Sequence, residues 1–134
     1  AAMTELMRRA LARSGVAAAD VALVKAQAAG SPANDAAEAT ALKQVFEAVP
    51  PVTSLKGYIG HVLGASGCAE LALLIGCWRA GFTPAMAGYA TPDPALAWQP
   101  LQPAPPPGVP RHALLNHVGF GGGQAALVVG HDLP

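Results

Sequence analysis

Charge is scarce in this 134-residue chain. Its 8 Lys+Arg are offset by 8 Asp+Glu, and charged residues make up 12% of the total, against about 25% in an average soluble domain. With zero formal net charge and no basic stripe, nucleic acid is not an expected partner. A surface so poor in charge, on a chain that is 52% hydrophobic and rich in alanine, fits a piece of something larger. Cysteine is scarce too. Cys68 and Cys77 are the two present; on one helix their spacing places them on different faces, which argues against a disulfide. Two free thiols fit a reducing, cytoplasmic setting. There is no Cys-x-x-Cys, and His61, His112, His117 and His131 lack zinc-ligand spacing, so no metal is expected. No apolar run reaches the roughly 18 residues that span a bilayer, because Glu70 and Arg79 interrupt the longest one. The opening Ala1-Ala-Met-Thr-Glu does not read as a signal peptide. It begins on Ala rather than Met, which reads as a trimmed piece or as residues left from cloning.

What is present alternates between helix and strand signals. Thr4 to Ser14 reads as a helix with Thr4 as its cap, a stripe of Leu6, Met7, Ala10 and Leu11, and Gly15 as its stop. Asp20 opens Val21 to Ala26, a continuous apolar run expected to be a buried strand. Asn34 or Asp35 is expected to cap a helix running to about Ala48, with Glu38 at capping-box spacing from Asp35. Pro50 and Pro51 end that helix and Val52 to Leu55 is a short strand. Thr91 to Pro110 holds eight prolines, which excludes helix and central strand and predicts an extended surface connection. Ala113–His117 and Gln124–Val129 read as strands joined by Gly119-Phe-Gly-Gly-Gly123 in an antiparallel hairpin. The order predicts an α/β sheet with helices on its faces.

The most informative stretch is Ser54 to Glu70. It places Lys56, His61 and Glu70 around a glycine-rich turn and runs directly into Leu71-Ala-Leu-Leu-Ile-Gly-Cys-Trp78. A helix from about Gly64 to Ala80 with so little polar face must be covered all round, which a short chain can hardly do alone. Cys68 at its start reads as packing. Glycine-rich segments fall at three expected strand ends, 27–32, 57–67 and 119–123, where α/β sheets hold their ligands. None is a phosphate-binding Walker loop or a good dinucleotide fingerprint.

Together these segments resemble the C-terminal part of the β-ketoacyl synthases, condensing enzymes of fatty-acid and polyketide synthesis with the thiolase fold. Val24 to Glu38 is similar to the family stretch His-Gly-Thr-Gly-Thr, Asn-Asp, Glu. Lys56 to Gly67 is similar to the Lys, Gly-His and Gly-Ala-x-Gly stretch. Asn116 to Gln124 is similar to Asn-Ser-Phe-Gly-Phe-Gly-Gly-Thr-Asn. The resemblance runs from about Asp20 to Val129. It implies that residues 1–134 form the C-terminal half of a thiolase-like fold: a mixed sheet, helices on both faces and a terminal antiparallel hairpin, with 91–110 a proline-rich loop within it. It implies decarboxylative condensation of acyl and malonyl thioesters, delivered on the phosphopantetheine of acyl carrier protein with no other cofactor. A nucleophilic cysteine would lie in an N-terminal half absent here. That half or a partner ketosynthase chain, in a homo- or heterodimer, would be the partner, besides acyl carrier protein.

By the same resemblance His61 matches the second catalytic histidine, Lys56 the family lysine and Glu70 the glutamate that pairs with it. A carboxylate on an apolar helix also needs a partner on physical grounds. Phe120, with Gly121 beside it, matches the acyl-pocket gate, while an ordinary core aromatic is the alternative. Gln27 stands where the first catalytic histidine belongs. It can donate an N–H but cannot titrate near neutral pH. Ala28 and Ala29 replace Gly and Thr, His117 and Val118 replace Ser and Phe, and Gln124 replaces the terminal Asn. Retention of Lys56 and His61 points to an enzyme, and Gln27 to a non-catalytic partner similar to a chain-length factor. A free-standing interaction module would leave the three motifs unexplained.

Overall fold

The computed structural model describes residues 2–96, 98, 100 and 108–130; His131 and most of the proline-rich stretch lie outside them. Among these residues the helices are α1 (Ala2–Ser14), α2 (Pro32–Val45), α3 (Lys56–Ile59) and α4 (Ser66–Arg79), and the strands are β1 (Leu23–Lys25), β2 (Val52–Thr53), β3 (His112–Val118) and β4 (Gln124–Gly130). The sheet order is β2-β1-β3-β4, with β1 parallel to both β2 and β3 and β3 antiparallel to β4. The expected α/β class, mixed sheet and terminal hairpin are all present.

Topology explains why both faces of the sheet are covered. The chain leaves β1 for β2 on one side, then returns past β1 to β3 on the other. Since crossovers are right-handed, this reversal places the intervening helices on opposite faces. The packing agrees. Met7, Leu11, Ala41, Leu42 and Phe46 from α1, α2 and the residue after α2 meet Val24, Val52 and Leu114 on one face. Leu74 and Trp78 of α4 meet Leu23, Ala113 and Leu115 on the other. The period-two alternation of strand side chains assigns neighbours such as Leu114 and Leu115 to different layers.

Several local expectations are corrected. α1 begins at Ala2, so Thr4 is not its cap; it is buried and donates from Oγ1 to Gln44 Oε1 at 2.8 Å. α2 begins at Pro32, whose fixed φ suits the first helical position, with Ser31 rather than Asn34 or Asp35 at the cap. Glu38 makes no capping box but reaches the turn after β1 and Asn116 of β3. α2 ends at Val45, and β1 and β2 are shorter than the expected Val21–Ala26 and Val52–Leu55. The expectation for α4 holds: this chain does not cover it all round, burying Leu74 and Trp78 and leaving Leu73 exposed. Cys68, expected to pack, is exposed on this chain.

Candidate functional site

β1 ends at Lys25, and the next residues set the floor of a cavity of about 820 Å³ lined by Gln27, Asp35, His61, Leu63 and Phe120 among others. Gln27, His61 and the 119–123 hairpin, far apart in sequence, thus converge on one cavity, as expected from their places at strand ends. The floor is held by Glu38. Its carboxylate accepts from the backbone N–H of Gln27 (2.8 Å) and of Ala28 (2.9 Å) and from Asn116 Nδ2 (2.6 Å). Burial pushes the Glu38 carboxyl above the ordinary range, and these hydrogen bonds only partly oppose that. Ala28 has φ +41°, in the left-handed region a side chain rarely adopts; the carboxylate grips the strained turn from below. The Gln27 side chain is buried, donating from Nε2 to Val118 O at 3.0 Å, while its Oε1 lies 3.5 Å from Lys56 Nζ.

His61 sits at the cavity wall, exposed, after Gly60 at φ +74°. Leu63, itself at φ +52°, turns its backbone N–H onto His61 Nδ1 at 3.0 Å, with Ser66 Oγ 3.1 Å from the same nitrogen. A backbone N–H can only donate, so Nδ1 accepts and the neutral ring carries its proton on Nε2. That leaves an N–H donor available to a carbonyl oxygen on which charge develops. Phe120 is 92% exposed on the hairpin loop and lines the cavity, outside this chain's own core. Gly121 and Gly122 beside it, at φ +76° and +84°, make the turn that carries it.

Glu70, in the second turn of α4, is fully buried and shared between two lysines. Oε1 takes Lys56 Nζ at 2.6 Å, the pairing expected, and Oε2 takes Lys25 Nζ. Burial pushes the Glu70 carboxyl up, but the hydrogen bonds and charges of Lys25 and Lys56 outweigh it and hold the group below the ordinary range. Lys25 also lies 3.3 Å from His117 Nδ1. An ammonium has no acceptor, so Nδ1 accepts and the His117 proton is on Nε2, a buried atom without a partner among the described residues. Burial chiefly lowers Lys25 to about 8, against the raising effect of Glu70. Burial and the neighbouring Lys25 charge lower His117 to about 4.

From the sequence Lys25 reads only as a strand residue. The signal was there: one lysine inside a run expected to be buried on both faces must find a carboxylate. Glu38 reads as a capping acid and as the Glu of the first motif, and neither reading shows its hold on the turn at Gln27 and Ala28. Among the described residues no cluster of His, Cys, Asp or Glu could hold a metal.

Comparison with known proteins gives this geometry a relationship. Residues 1–90 match the family described as the β-ketoacyl synthase C-terminal domain. The mitochondrial 3-oxoacyl-[acyl-carrier-protein] synthase of Arabidopsis thaliana is 36% identical across 91% of this chain and 28% of its own length. Among solved structures, a β-ketoacyl synthase from Burkholderia phymatum STM815 aligns with TM-score 0.87 at 27% identity, over 98% of this chain and 33% of that one. The ishigamide ketosynthase/chain length factor aligns with TM-score 0.86 at 25% identity, over 98% and 33%. The chain thus spans about a third or less of these proteins. With its thiolase-like mixed sheet and the matched residues, the chain belongs to the β-ketoacyl synthase family as its C-terminal domain.

Proposed function

We propose that this chain supplies the C-terminal half of a site for decarboxylative condensation of acyl and malonyl thioesters carried on acyl carrier protein, in fatty-acid or polyketide synthesis. The convergence of Gln27, His61 and the Phe120 hairpin on one cavity carries this reading. His61 Nε2–H donates to the malonyl thioester oxygen, stabilising the enolate that remains when carbon dioxide leaves. Lys56, paired with Glu70, holds the wall beside it, and Phe120 stands at the mouth. The enolate carbon then attacks the carbonyl carbon of an acyl thioester on a cysteine of an N-terminal ketosynthase half or a partner ketosynthase chain; the new C–C bond replaces the C–S bond and the cysteine leaves as thiolate. Gln27 contributes an N–H donor and no acid–base function.

One observation favours a second reading, a non-catalytic partner similar to a chain-length factor. Gln27 is engaged at both ends of its amide, by Val118 O and beside Lys56, so it serves the structure as much as the cavity. Carbon dioxide release from malonyl carrier protein separates the two, measured on the assembly containing the nucleophilic cysteine. In the enzyme reading His61→Ala loses release and Gln27→His raises it, roughly a hundredfold or more for a restored acid–base group. Release unaffected by both substitutions, in a folded assembly that still binds malonyl carrier protein, assigns the chain to the partner role.

A further inference from the structure

Four ionisable side chains from four elements meet beneath the cavity floor, and the mechanism above uses only Lys56 and Glu70. Lys25, at the end of the central strand β1, has no exposed surface, yet it contacts both Glu70 of α4 and His117 of β3. Each Glu70 oxygen carries one ammonium, so Lys56 holds half a carboxylate rather than both oxygens. Lys56 then stands 3.5 Å from Gln27 Oε1, and the Gln27 amide is turned with its carbonyl toward Lys56 and its Nε2 toward Val118 O, at the root of the Phe120 hairpin.

We propose that Lys25 is a positioning residue: by taking one Glu70 oxygen and His117 Nδ1, it holds Lys56 against Gln27 and so sets the orientation of the Gln27 amide at the cavity floor. Without the Lys25 charge both Glu70 oxygens are free to draw in Lys56, which then moves off Gln27. The amide loses the contact that decides which end faces the lysine and which the hairpin. His117 is the reporter of the same event. Its Nδ1 accepts from Lys25 and its pKa is depressed partly by that ammonium, so removing the charge lets His117 protonate more readily. The charged groups facing Lys25 are Glu70 from α4, Lys56 from α3 and Glu38 from α2, with His117 from β3. The inference rests on the cavity being a functional site, but its test reads no turnover; loss of condensation activity and loss of the Lys25 linkage are therefore separate results.

The test is carbon-detected NMR on the full chain, in the assembly in which it purifies, labelled in lysine, histidine and glutamine. In the Lys25→Met protein the Gln27 side-chain carbonyl carbon should shift and the His117 proton affinity should rise, by roughly tenfold for the loss of one neighbouring like charge. Because a folding failure of that variant would be uninformative, the wild type is also titrated upward through the Lys25 pKa of about 8. There the Gln27 carbonyl carbon should follow the Lys25 side-chain carbon with the same midpoint. A Gln27 resonance that ignores the Lys25 titration overturns the proposal, even if His117 responds. So does a Lys25→Met protein that is folded and leaves Gln27 unchanged.

Discussion

His117 is a buried imidazole facing an ammonium, and acid should find it first. Its folded pKa of about 4 lies below its ordinary value of 6.5, through burial and then the Lys25 charge. Between those values the unfolded chain binds more protons than the folded one, so stability falls as pH falls through that window and is unaffected by this group above it. The full difference is on the order of 3 kcal/mol. Denaturant unfolding from pH 7 to pH 4 should show that decline, and His117→Asn, which cannot titrate, should flatten it. A slope unchanged by the substitution would place the proton uptake elsewhere. Glu70 acts in the same direction at lower pH: its carboxyl is held below the ordinary range, so its contribution is present above the unfolded value and lost as pH falls through the folded one.

The short helix α3 depends on one close approach. A Cβ on Gly57 would lie 2.6 Å from Ala87 O and 2.9 Å from Ala87 Cβ. Backbone cannot swing aside as a side-chain end does, so Gly57→Ala should cost about 1–3 kcal/mol as overpacking and displace Lys56, the preceding residue. The comparison is Gly67→Ala in the first turn of α4, where the new methyl would meet the His117 ring at 3.7 Å, an ordinary contact. There the loss of glycine's backbone freedom should leave the protein neutral or more stable, by up to about 1 kcal/mol. Urea midpoints for the two variants check the contrast; equal effects would show that α3 has room to retreat from Ala87.

For the molecule as a whole, the unmet demand is cover. Leu63 is 63% exposed, Phe120 92%, and Tyr58, Val62 and Leu73 are exposed as well. Soluble monomers rarely leave contiguous apolar patches beyond a few hundred Å². The chain on its own should therefore self-associate, capture a ketosynthase half, or bind a dye for apolar surface. Light scattering and dye fluorescence read this out, and a dilute, dye-negative, stable monomer would defeat the expectation. No described helix is long and apolar enough to cross a membrane.

The sequence alone determined the succession of elements apart from the one-turn helix α3, which it reads as part of a glycine-rich turn, because strand runs, proline stops and glycine turns are local signals that neighbouring residues express together. It also singled out Lys56, His61 and Glu70, since they share one stretch whose glycines and spacing are distinctive. The grouping of residues at the site belonged to the tertiary structure. Lys25, Glu38 and His117 looked like a strand residue, a capping acid and a departure from a motif; only the parallel pairing of β1 with β3 brings Lys25 to His117. The helix α4 read as apolar on every side, yet which side is buried depends on which sheet lies beneath it. Charge burial is decided by partners distant in the chain, and no local pattern records them.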